Sequence, residues 1–143
     1  MRRYISRISG PMLDRMDIQI ELPSLSYDEI SARDEKAEPS AVIRERVIKA
    51  REFARARMEK SGKQIYCNAQ LDAAGIHEFC TPDPAAAALL KAAYDRMGLS
   101  ARGYDRLLRV ARTIADLDSS ELIKAPHIAE AIQLRSLDRK YWG

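Results

Sequence analysis

Neither GxxxxGK[ST] nor GxGxxG occurs in this sequence. Without such a glycine-rich loop the chain has no cradle for a nucleoside triphosphate, and it is not expected to hydrolyse one alone. No run of 18 apolar residues occurs, so no transmembrane helix is expected. The opening MRRYISRISG lacks the apolar centre of a secretory signal. Two cysteines, Cys67 and Cys80, are too few for a disulfide framework and point to a reducing, cytoplasmic setting. Aromatic residues make up only 6%. A stacking platform for single-stranded bases is therefore not expected.

What is present favours helix. The 143 residues make about one domain, large enough for a core without staples. Hydrophobic residues are 46% and charged ones 31%, an ordinary soluble balance. Alanine, leucine, arginine and glutamate, all good helix formers, are abundant. The net charge of +3 is too small to demand an anionic partner by itself.

The strongest helical pattern is LSARGYDRLLRVARTIADL, residues 99–117. Ser100 suits an N-cap, because its hydroxyl can accept from first-turn N–H groups. Tyr104, Leu107, Leu108, Ala111, Ile114 and Ala115 then form one apolar stripe. Arg102 lies in the first turn. Arg106, Arg109 and Arg112 read as a solvated or salt-bridged face.

Other segments complete a bundle. Residues 41–60 place Ile43, Val47, Ala50, Ala54 and Met58 on one stripe, with Gly62 as the stop. Their outer faces carry seven positive charges against three negative, a local +4. Asp72 caps a short helix running to Cys80, with Ile76, Phe79 and Cys80 inward. Asp83 caps the next, with Pro84 at its first position, Ala86, Leu90, Ala93 and Met97 buried, and Gly98 as the stop. Ile123 reads as an apolar anchor in the following loop. A last helix begins at Pro126 and ends near Leu134. Residues 41–135 thus predict an antiparallel bundle of five helices.

The N-terminal part reads differently. SGPMLDRM, residues 9–16, predicts a helix of two turns at most. DIQIELP alternates Ile18, Ile20 and Leu22 on one side, a strand signature ended by Pro23. A lone strand cannot satisfy its own backbone groups. The strand is expected to lack its sheet here, as in a piece of a longer protein, and residues 1–40 to be poorly packed or paired between molecules. A short helix is expected near 27–32, from the Ser26 and Glu29 spacing. Residues 24–40 otherwise read as a charged linker.

Candidate chemistry is sparse. Cys67, His77, Cys80 and His127 match no metal-ligand spacing, so no metal is expected. Nothing beside Cys80 in sequence would activate a thiol. The basic helix 41–60 offers phosphate contacts, although such charge runs are usually solvated faces. Residues 99–117 as a recognition helix would present Arg102 as their one good base reader. Two arginines suit anions better. Arg15 falls just before the strand, at the rim of a sheet. Arg102 falls at a helix N-terminus, where backbone N–H groups and the dipole favour negative charge.

RYISRISGPMLDRMDIQIELP resembles the end of the ATPase core in magnesium-chelatase-like AAA+ proteins of the ComM/YifB branch. LSARGYDRLLRVARTIADL followed by HIAEAIQLRSLDR resembles their C-terminal helical lid. The resemblance covers nearly the whole chain, with both motifs in order. It implies an all-α lid over 41–143, a linker over 24–40, and a short helix and one strand left over from the core over 1–23. It implies that Arg15 is an arginine finger acting in trans and that Arg102 is the sensor 2 arginine touching the γ-phosphate. ATP and Mg²⁺ are implied for the parent protein only, since no Walker A or B segment is present. The implied partners are the chain's own ATPase core and neighbouring subunits of a homo-oligomeric ring, with DNA as a further partner and no membrane. The parent would be a bacterial, ring-shaped DNA motor linked to competence and recombination. A stand-alone DNA-binding module and a subunit of a metal-chelatase complex are the alternative readings.

Overall fold

The computed structural model describes Met12 and residues 15–31, 37–62 and 64–135. The helix expected over 9–16 falls mostly outside these residues, as does the tail beyond 135. Six helices are described: α1 (Tyr27–Ser31), α2 (Ser40–Glu59), α3 (Ala73–Phe79), α4 (Pro84–Met97), α5 (Ala101–Leu117) and α6 (Ala125–Gln133), with a 3₁₀ turn at Asn68–Gln70. The fold is mostly helical, as expected.

Local chemistry fixes most of the boundaries. The Asp72 carboxylate accepts from Gly75 N–H at 2.7 Å and opens α3. Asp83 does the same for Ala86 N–H at 2.7 Å and opens α4, with Pro84 at its first turn. Gly98 ends α4 at φ +60°, a left-handed conformation that glycine adopts without Cβ strain. The Ser100 hydroxyl accepts from Gly103 N–H at 3.0 Å and opens α5. α6 starts one residue earlier than expected. His127 reaches back, its Nδ1 accepting from Lys124 N–H at 3.0 Å, and so serves the end that no Ser, Thr or Asp caps.

α5 is the centre of the body. It packs against α2, α3, α6 and the 3₁₀ turn, and α4 packs against α6. Leu107, Ala111 and Ala115 of α5 are fully buried, together with Ala86, Ile123, Ile128 and Ala131. Ile123 anchors its loop as expected: its N–H donates to Thr81 O at 3.0 Å, and its carbonyl accepts from Asp83 N–H at 2.9 Å. A fully buried isoleucine of this kind stabilises the fold by about 2 kcal/mol.

Two expectations change. The α2 stripe is buried only at Ala50 and Met58, while Ile43 and Val47 stay exposed. Only the C-terminal half of α2 lies against the body, so periodicity there marks a face without a partner. Residues 18–26 form no strand. Ile18, Ile20 and Leu22 are exposed, since no neighbouring strand among the described residues offers a hydrogen-bonding ladder.

Candidate functional site

The N-terminal end of α5 is built by its cap. With Ser100 holding Gly103 N–H, the first turn is fixed, and Arg102 projects from it exposed to solvent. Its guanidinium makes no hydrogen bond or ion pair among the described residues. A free guanidinium beside a helix N-terminus combines fixed donors with a favourable dipole for an anion.

Arg106 lies one turn further on, on the same face. Its Nη1 donates to Arg15 O at 2.6 Å and pairs with Asp17 Oδ1 at 2.5 Å. Nearby, Arg135, only 1% exposed, donates through Nη1 to Met16 O at 3.2 Å. Gln19 N–H donates to Leu134 O at 2.7 Å. Residues 15–19 are thus fastened to the first turns of α5 and to the end of α6. This clasp brings Arg15 to the same end of the bundle as Arg102. The Arg15 guanidinium, like that of Arg102, has no partner among the described residues. Arg106 was read from sequence as a solvated or salt-bridged face, and its pair with Asp17 bears that out, but neither this partner nor the role of Arg135 was visible, because these bonds join positions 89 or more residues apart.

A cavity of about 460 Å³ lies beside this end, lined by Leu90, Lys91, Tyr94, Ala101, Tyr104 and Asp105. Tyr94 and Tyr104 meet edge to face, with ring centroids 5.9 Å apart.

The far half of α5 holds a buried ionic cluster. Arg112, read from sequence as a solvated or salt-bridged face, is 0% exposed. Its Nε donates to Asp116 Oδ1 at 3.1 Å, its Nη1 to Glu121 O at 2.7 Å, and its Nη2 to Ser120 O. Arg57 of α2 grips both oxygens of Asp116, and Asn68 Nδ2 donates to Asp116 Oδ2 at 2.7 Å. Burial lowers the pKa of Arg112, and the Asp116 carboxylate opposes that shift. The cluster closes the α5–α6 loop and fixes α2 to α5. Arg109 donates to Leu71 O at 2.7 and 3.1 Å. These three arginines, Arg57, Arg109 and Arg112, are structural members bonded within the chain, although the buried Nε of Arg57 is left without a hydrogen-bond partner among the described residues.

The sulfur and imidazole groups do not converge. Cys67 is exposed and Cys80 buried. Burial pushes the Cys80 thiol up to about 11, so it stays neutral and packs as a small hydrophobe. His77 is exposed. His127 is buried between Lys124 N–H and the Asp118 carboxylate, 3.2 Å from its Nε2. No three His, Cys, Asp or Glu side chains gather to hold a metal ion among the described residues. No helix among them is long and apolar enough to cross a membrane.

Comparison with known proteins bears on this arrangement. Residues 37–135 match the family described as magnesium chelatase, subunit ChlI C-terminal, and residues 1–30 match magnesium chelatase, subunit ChlI. The chain is 42% identical to the competence protein ComM of Haemophilus influenzae over 137 residues, covering 96% of this chain and 26% of that protein. It is 40% identical over the same shares to the uncharacterized protein YifB of Escherichia coli. It is 37% identical over 134 residues to an uncharacterized protein of Mycobacterium tuberculosis, covering 94% of this chain and 26% of that protein. The chain therefore spans about a quarter of the length of these relatives.

Proposed function

The chain belongs to the magnesium chelatase subunit ChlI family, in its ComM/YifB-like form, and from that premise we propose that it is the helical lid of an AAA+ ATPase. In this reading the lid closes over ATP held by a P-loop core. Arg102 is the sensor 2 arginine that meets the γ-phosphate, and Arg15 is the arginine finger that serves a neighbouring subunit's nucleotide. The observation that carries the reading is Arg102 itself: exposed, unpaired among the described residues, and set in the capped first turn of α5.

Each guanidinium suits the terminal phosphate of a different ATP, Arg102 that of the lid's own core and Arg15 that of a neighbouring subunit. Arg102 supplies planar N–H donors and Arg15 a second set at the same end of the body. Among the described residues neither has an acidic side chain bonded to it that would neutralise it. Arg106 and Arg135 hold the backbone around Arg15, so the finger and the lid move together. ATP with Mg²⁺ supplies the phosphoryl group, and the arginines steady the charge that develops on it. No three His, Cys, Asp or Glu side chains gather to hold a metal ion among the described residues, and in this reading nucleotide binding belongs to the parent protein. The name of the Haemophilus relative carries a competence link, and we extend it to a ring-shaped DNA motor in the cytoplasm as the parent's role.

The test is Arg102→Ala in the protein that includes the P-loop core. We expect kcat for ATP hydrolysis to fall about 100-fold or more, with an unchanged circular dichroism spectrum. Full turnover in a folded variant would overturn the assignment.

A further inference from the structure

A groove of about 620 Å³ runs between α2, the segment 66–69 and the C-terminal end of α5. Val47, Ala50, Ala54 and Leu117 give it an apolar lining, and Arg51 and Arg55 stand along it. Ile43 extends the apolar row by one turn and Arg44 extends the basic row, because spacings of four and seven keep residues on one helix face. Ile43, Val47 and Leu117 are 42%, 39% and 47% exposed. Large apolar side chains left open along one groove mark a contact surface.

The positive charge of the basic row is uncompensated. Among the described residues the ion pairs of α2 are Arg46 with Glu38 and Arg57 with Asp116. Arg44, Arg51 and Arg55 take part in neither, and all three are exposed. Glu45, Glu52 and Glu59 of the same helix do not line the groove. Asp116, the one carboxylate in the lining, is already bonded by Arg57, Arg112 and Asn68.

We propose that this groove seats an acidic amphipathic helix of a partner protein. The open arginines call for carboxylates, and the apolar lining calls for aliphatic side chains on the same segment. Nucleic acid is a poorer occupant, because a phosphate backbone has nothing to set against Val47, Ala54 and Leu117. An extended segment is poorer too. Two walls of the groove are helices whose backbone groups pair internally, so they offer no ladder, whereas a helix satisfies its own N–H and C=O groups. From Ile43 to Ala54 the apolar row rises about 17 Å, the length of about three helical turns. Along it Arg51 and Arg55 are about 6 Å apart and Arg44 and Arg51 about 10.5 Å, so carboxylates one and two turns apart on the occupant meet all three. The inference stands apart from the nucleotide reading, since Arg15 and Arg102 do not line the groove and the test needs no ATP.

Cys67 reports on the seat. It lines the groove and is exposed, whereas Cys80, the other cysteine, is buried. The experiment is the rate of Cys67 alkylation by iodoacetamide, followed by mass spectrometry. The probe is a synthetic helix of about 18 residues with leucines on one face and glutamates elsewhere. At about 100 µM it should slow Cys67 about fivefold or more. Arg51→Glu with Arg55→Glu, and separately Val47→Asp, should each weaken the peptide about tenfold or more. Cys80 staying unreactive shows that each variant is folded. No protection, equal protection by a lysine version or a scrambled peptide, or protection that survives both sets of substitutions overturns the proposal. So does a duplex of about 20 base pairs, or a phosphatidylglycerol vesicle, that shields Cys67 better than the peptide does. Shielding that grows with the concentration of this chain alone would give the groove to a second copy. A Cys67 already shielded in the protein that includes the P-loop core would give it to that core. Either result overturns the proposal.

Discussion

Cys80 shows how a residue's surroundings set its chemistry. The thiol sits 3% exposed among core side chains, and burial raises it from 9.0 to about 11, against the opposing pull of Arg112, Arg57 and Arg109. Below pH 9 both folded and unfolded chains keep the proton, and the thiol costs nothing. Above 9 the unfolded chain ionises while the folded one does not. Stability is therefore lost as pH rises from 9 through about 11, by about 2 kcal/mol at pH 10.5. Cys80→Ala should remove that component. Urea midpoints at pH 8 and pH 10.5 check it: the wild-type drop should exceed the variant's, and equal drops would refute the burial argument.

At the scale of elements, Asp116 is the joint. It binds Arg57 of α2, Arg112 one turn back on α5, and Asn68 of the 3₁₀ turn. Asp116→Ala would leave a fully buried guanidinium, Arg112, without its counter-charge. We expect a loss of about 3–5 kcal/mol, with Asp116→Asn losing less because it keeps a hydrogen-bond acceptor. Chemical denaturation measures both, and a loss below about 1 kcal/mol for the alanine variant would fall in the range of an exposed ion pair. Asp72, Asp83, Ser100 and Gly98 were legible in the sequence because a cap acts within one turn. Arg102's place in the first turn was legible for the same reason. Arg112 and Asp116 were not, since a stripe counted from apolar residues skips the charges set within it. Their i,i+4 spacing beside Leu108 and Ala115 was the available signal. Arg57 looked like one more outer cation, because its partner lies 59 residues away. Ile43 and Val47 followed the period of a buried stripe. Period alone cannot say whether another element arrives to cover it.

Across the whole molecule, burial divides the chain unequally. α3 to α6, with the C-terminal half of α2, enclose the core, and its fully buried residues cluster on α5 and α6. The first half of α2 has no buried side chain before Ala50. Its cap, Pro39, supplies no side-chain hydrogen bond. An isolated helix of about ten residues is marginal in water, so this half is held chiefly by continuity with the packed half. Amide hydrogen exchange on the monomer at low concentration should show the division. Amides of residues 43–49 should exchange about tenfold or more faster than those of residues 107–115, which open only with the whole body. Uniform protection along α2 in the monomer would mean that its first half is stabilised without packing, and that the open groove is not the weak edge of the fold.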